Sequence, residues 1–135
     1  MADDPLIAAA RQAREKSYSP YSGFAVGCAV ESASGEIALG ANMENASYPL
    51  GVCAEQAALA AAQQAFGLDK IVRMAVVGGP KGGDLVPITP CGGCRQAIAE
   101  AAKVSRCDIA VIGLASDGSE VVRCISQLLP DSFSL

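Results

Sequence analysis

Residues 53–77 read CAEQAALAAAQQAFGLDKIVRMAVV, and the fold follows from how this stretch divides. Cys53 to Phe66 is rich in alanine, the strongest helix former, and stops at Gly67, a residue suited to a helix C-terminus. Ile71 to Val77 is then a continuous apolar run with one Arg, the pattern of a central strand. Downstream the alternation repeats. Pro90 opens a helix over Cys91 to Ala102, Ile109 to Leu114 reads as a second central strand, and Asp117-Gly118 turns the chain into a strand over Val121 to Ile125. Ser126 to Leu129 is a short helical turn, and Asp131 to Leu135 is a tail. Gly78 to Thr89 is a loop; its Gly-Gly-Pro-Lys-Gly-Gly run lacks the G-K-[ST] ending of a phosphate cradle and opens no helix.

Upstream, Asp4-Pro5 is an N-cap followed by Pro in the first turn, and Leu6, Ile7, Ala10 and Ala13 carry a helix to about Lys16. Tyr18 to Gly23 breaks it. Phe24 to Glu31 alternates large and small residues, Ser34-Gly35 turns, and Glu36 to Gly40 returns, which predicts a hairpin. Ala41 to Val52, rich in Asn, Gly and Pro, has no regular period. Helices and strands that alternate after a hairpin pack as a three-layer α/β/α sandwich around a mixed sheet of five strands, with residues 1–135 as one domain.

Composition narrows the chemistry. Half of the 135 residues are hydrophobic (51%) and only 4% aromatic, so Ala and Val fill a close-packed core. The net charge of −4 argues against a phosphate-tracking surface, and with six aromatics the chain lacks the stacking platform that a nucleic acid polymer needs. The longest uncharged stretch, Ser17 to Val30, is 14 residues, too short for a membrane helix. Asp3 and Asp4 precede the first apolar residues, unlike an export signal, so the expected location is cytoplasmic. Six Cys and no His exclude Ser-His-Asp and Cys-His mechanisms, and leave any zinc site to cysteines, with or without a carboxylate.

Two cysteine motifs stand at helix starts: Cys53-Ala54-Glu55, and Pro90-Cys91-Gly92-Gly93-Cys94. Helix N-termini offer unpaired N–H groups and partial positive charge, which favour thiolate, the metal-binding form. Brought together, Cys53, Cys91 and Cys94 would give zinc three ligands and leave a tetrahedral corner open, as in catalytic sites, where a bound water has a pKa of about 7. Glu55 lies about 200° around the helix from Cys53, better placed to reach such a water than the metal, which suits a general acid/base. Two other readings stay open on the residues alone. A C-x-x-C redox pair leaves Cys53 and Glu55 without a role. A closed structural zinc site needs a fourth ligand, and Cys28, Cys107 and Cys124 sit in or beside apolar strands, where Cys behaves as a small hydrophobe.

Cys-Ala-Glu followed by Pro-Cys-x-x-Cys resembles the signature of the zinc-dependent nucleobase deaminases. The chain as a whole resembles the small homotetrameric cytidine deaminases. Tyr18-Ser19-Pro20-Tyr21-Ser22-Gly23-Phe24-Ala25-Val26-Gly27 is similar to that family's strand entry and Asn42-Met43-Glu44-Asn45-Ala46-Ser47-Tyr48 to its ribose loop. Pro90 to Gln96 is similar to its second metal motif, and Leu128 to Phe133 to its C-terminal segment. The resemblance implies one Zn²⁺ per chain on Cys53, Cys91 and Cys94, Glu55 as proton shuttle, and deamination of cytidine and deoxycytidine in pyrimidine salvage. It also implies that Asn42 and Glu44 bind the ribose, that Phe24 packs beside the base, and that the Ala54 N–H and Glu55 read the pyrimidine edge. Tyr48 and Phe133 are implied to act across a subunit boundary. One residue departs from the family pattern: Gln56 stands where most three-Cys members carry an Arg that donates to the ligand sulfurs. Gln donates but brings no charge, leaving Arg95 and the helix N-termini to offset the thiolates.

Overall fold

The computed structural model describes residues 4–135 and so leaves Asp3 outside. The first helix, α1 (Pro5–Arg14), is capped by the Asp4 carboxylate, which accepts from the Leu6 N–H at 2.9 Å. It ends before Lys16, because residues 15 and 16 close 3₁₀-type bonds to Gln12 and Ala13. Strands β1 (Phe24–Ser32) and β2 (Ile37–Ala41) form the hairpin. Then follow α2 (Ala54–Ala65), β3 (Ile71–Pro80), α3 (Gly92–Ser105), β4 (Ala110–Leu114), β5 (Glu120–Cys124) and the short α4 (Ile125–Leu128).

The five strands run in the order β2-β1-β3-β4-β5. All pairs are antiparallel except β3 and β4, which are parallel and joined by the α3 crossover. Leu6, Ile7 and Ala10 of α1 pack on one sheet face against Ala29, Ala75, Val77 and Ile112. On the other face Ala58 and Ala62 of α2 and Ile98 and Ala101 of α3 meet Cys28, Val30, Met74, Val76 and Val111. The expected three-layer sandwich is therefore observed.

With few large side chains, the layers approach at backbone distance. A Cβ at Gly27 would come within 3.0 Å of Ala10 and Arg14 backbone in α1, and one at Gly40 equally close to Ala54 and Ala58 backbone in α2. The Arg within the apolar run of β3, Arg73, spans strands and helix. Its guanidinium donates to Asp4 at 2.7 Å and to Glu31 at 2.6 Å, tying the start of α1 to β1 and β3.

Several boundaries differ from the sequence expectation, and three of them have a clear physical cause. The strand expected to stop at Val77 continues to Pro80, since Gly78, Gly79 and Pro80 pair with Val26, Ala25 and Phe24. Backbone ladders need no apolar side chain, so hydropathy misses them. The helix expected to end at Ala102 runs to Ser105 and is closed by Arg106 in the left-handed conformation (φ 56°). Ile125 opens α4 instead of ending β5, with the Gln127 side chain accepting from the Cys124 N–H. The segment after β2, without period in sequence, is sewn down by backbone bonds: Met43 pairs with Val52, and Glu44 N–H donates to Tyr18 O. Among the described residues, no helix is long and apolar enough to cross a membrane.

Candidate active site

Cys53 and Cys91 occupy the N-cap positions of α2 and α3, and Cys94 lies buried in the first turn of α3. Packing both helices on one sheet face brings their first turns together. The three Sγ atoms lie within 4.8 Å of one another, with those of Cys91 and Cys94 3.5 Å apart. Thiolates around a tetrahedral zinc stand roughly 3.8 Å from each other, so the donor set fits that ion and leaves a fourth corner. Cys28, Cys107, Cys124 and Glu55 are not part of the cluster.

The thiols differ in their surroundings. Backbone N–H groups of Cys94 and Gly93, the unpaired donors of the α3 start, hold the Cys91 thiol below its ordinary value. Cys53 shifts the other way: burial pushes its thiol up. Burial and the nearby Glu55 charge raise Cys94. The Gln56 amide donates to the Cys94 Sγ at 3.6 Å. Arg95, expected to help offset the thiolates, is turned away: it donates to Pro90 O at 2.8 Å, Leu128 O at 2.8 Å and Thr89 Oγ1 at 3.1 Å. Three oxygen acceptors satisfy this guanidinium better than a soft sulfur.

Beside the thiols opens a cavity of about 420 Å³. Of the residues singled out in the sequence, Phe24, Asn42, Glu44, Tyr48, Cys53, Ala54, Glu55 and Cys91 line it. Glu55 is 5% exposed, and burial raises its carboxyl above the usual range. Ala54 is the first residue of α2, where N–H groups lack intrahelical partners. Phe133 is not in this wall; its backbone is held by Gln96 near the start of α3, and it is 69% exposed.

Asn42 and Glu44 are built into the scaffold. Asn42 Oδ1 accepts from the Val26 N–H and the Ser17 hydroxyl, and its Nδ2 donates to Phe24 O. Glu44 accepts from the Tyr21 and Ser22 N–H groups and the Ser22 hydroxyl, which holds its carboxyl below the usual range. Val26, Met43, Ile88 and Thr89, which sequence reasoning did not select, complete much of the wall. Ile88 and Thr89 come from an irregular loop, where no periodicity marks a role.

The family model for the cytidine and deoxycytidylate deaminase zinc-binding region matches residues 1–111. A cytidine deaminase of Halalkalibacterium halodurans is 42% identical over 129 residues, 96% of this chain and 92% of that protein. One from Sporosarcina psychrophila is 38% identical over 97% of this chain and 90% of its own. The crystal structure of cytidine deaminase from Burkholderia pseudomallei superposes with a TM-score of 0.83 at 40% identity, covering 98% of this chain and all (100%) of that one. The chain belongs to the cytidine and deoxycytidylate deaminase zinc-binding family.

Proposed function

We propose that this protein hydrolyses cytidine and deoxycytidine to uridine and deoxyuridine with release of ammonia, in pyrimidine salvage. The observation that carries the reading is the meeting of three thiols from two helix starts beside the buried Glu55, on the wall of one cavity. Cys53, Cys91 and Cys94 would hold one Zn²⁺ per chain, and zinc there supplies Lewis acidity that brings a water's pKa to about 7.

The chain's own residues supply the rest. Glu55, its proton affinity raised by burial, takes a proton from the attacking water, delivers it to N3 of the base and assists departure of the amine. The free N–H at Ala54 and the Glu55 carboxylate read the pyrimidine edge, and Phe24 packs beside the ring. Asn42 retains one amide N–H, and ionised Glu44 retains lone pairs, for the ribose hydroxyls. Their scaffold bonds fix both groups before substrate arrives.

The cavity and its smaller neighbour past Glu44, of about 290 Å³, are lined by two carboxylates, Glu44 and Glu55, and by no Lys or Arg. That favours nucleosides over nucleotides and polynucleotides. Tyr48, 79% exposed, and Phe133 are read as crossing subunit boundaries in a homotetramer with shared sites. Residues 1–135 form the one deaminase domain. Free thiols at all six cysteines suit the reducing cytoplasm.

The test is a panel of cytidine, deoxycytidine, deoxycytidylate and free cytosine, followed by absorbance and ammonia release with and without a chelator. Chelator-sensitive deamination of the two nucleosides, with cytosine and the nucleotide far poorer, is expected. Bound zinc without ammonia release would leave a structural metal site, and equal rates on cytosine and cytidine would move the assignment to a base deaminase.

A further inference from the structure

We infer that Gln96 is a positioning residue for the active site of a neighbouring subunit, acting by clamping the backbone of Phe133 so that its ring stands off its own chain. This rests on the reading that Phe133 closes a neighbour's cavity. After α4 the last seven residues, 129–135, form no helix or strand. The bonds that hold this end come from α3. Gln96 Oε1 accepts from the Phe133 N–H at 3.0 Å, and its Nε2 donates to Phe133 O at 2.9 Å. Arg95 donates to Leu128 O at 2.8 Å, and Lys103 Nζ to Leu135 O at 3.4 Å.

A carboxamide accepts from an N–H through its oxygen and donates to a carbonyl through its nitrogen, so Gln96 grips one residue as a neighbouring β-strand would. The gripped residue carries the one large aromatic ring of the tail, and that ring is left 69% exposed. Burial against the home chain is the favourable course for a Phe, whereas ordering a backbone outside any helix or strand opposes folding. A clamp that orders the backbone and leaves the ring outside serves a contact made elsewhere. Ordering the segment in advance lowers what association must later spend on it.

Gln96 lies two residues beyond Cys94, so a local effect on the metal site must be separated from an effect through Phe133. The experiment uses Gln96→Ala and, as an isosteric variant that cannot donate to Phe133 O, Gln96→Glu. Both should keep one zinc per chain and the wild-type melting temperature, and lose about tenfold in kcat/KM, chiefly through KM. Each is then mixed with Glu55→Gln chains under conditions of demonstrated subunit exchange. A site that draws Glu55 from the Gln96 variant and Phe133 from the Glu55→Gln chain has an intact clamp on the ring it uses. Activity at low substrate should therefore rise above the sum of the two preparations, with KM near wild type. The control mixture is Glu55→Gln with Phe133→Ala. Recovery in the control but not with the Gln96 variants overturns this inference alone. Failure of both mixtures overturns the shared site as well. Unchanged kcat/KM in both Gln96 variants, or loss of zinc in both, also overturns it.

Discussion

Glu55 combines two properties that pull apart in water: it is 5% exposed, and it is a carboxyl. Burial raises its proton affinity, which suits a group that must hold a proton taken from water until the ring or the leaving amine accepts it. Glu55→Gln keeps the size and a hydrogen-bonding face but cannot carry that proton. The expected variant retains zinc and binds nucleoside, yet loses at least ~10²-fold in kcat. Metal analysis, calorimetric titration with cytidine, and steady-state rates check this together; turnover within a few-fold of wild type would remove Glu55 from the role. Gln56, next along α2, brings an amide beside the ligand sulfurs but no charge. Its amide reaches the Cys94 sulfur, so the contact is a hydrogen bond without a positive charge.

The helices meet the sheet through glycine, and the two contacts have different consequences. Gly40 of β2 lies against the first turns of α2, where a Cβ would strike the backbone of Ala54 and Ala58. Gly27 of β1 makes the equivalent contact with α1 on the opposite face, away from the thiols. Gly40→Ala should push the start of α2, with Cys53 at its N-cap, away from the α3 start. Gly27→Ala should displace only α1. Each is expected to cost about 1–3 kcal/mol of stability. Zinc content and activity should fall in Gly40→Ala beyond what its unfolded fraction explains, and stay at one zinc per folded chain in Gly27→Ala. Melting curves read beside metal analysis separate the two; full zinc loading of folded Gly40→Ala would show that the α2 approach does not set the site.

Across the whole molecule, the Asp4–Arg73–Glu31 group joins the chain's first described residue to its central strand. The hydrogen bond from Arg73 holds the Asp4 carboxyl below its ordinary 3.8, with the Leu6 N–H adding to it. A depressed folded-state value means that ionised Asp4 stabilises the fold at pH above the unfolded value, and that this contribution disappears as pH falls through the folded one. Asp4→Asn keeps a capping oxygen and removes the charge. It should lower stability by about 0.5–1 kcal/mol at pH 7, and the gap to wild type should shrink at acid pH, below the ordinary 3.8 and through the lower folded-state value. Urea unfolding of both proteins at the two pH values reads this directly; a gap independent of pH would assign the loss to the cap and not to the ion pair.

Local chemistry was legible in the residues themselves. The Asp4-Pro5 start of α1, the alanine helix ending at Gly67, the hairpin over Gly35 and the placement of Cys53 and Cys91 at helix starts all follow from neighbours a few positions apart. Absence of His left cysteines, with or without a carboxylate, for zinc, and a two-residue offset kept Glu55 off the metal cluster. What required the folded chain was contact between distant segments. Cys53 and Cys91 are separated by 38 positions, and only packing α2 and α3 on one sheet face joins their thiols. The extension of β3 to Pro80 depends on a ladder with β1, formed by backbone atoms that hydropathy does not read. Arg95 could serve sulfur or carbonyls by its chemistry, and the proximity of Leu128 O, Pro90 O and Thr89 Oγ1 decided for oxygen. Gln96 carries no signal in its own surroundings, because its partner, Phe133, lies 37 positions further along the chain. Side-chain pattern encodes which element forms, whereas hydrogen bonds between elements depend on where packing leaves each backbone atom.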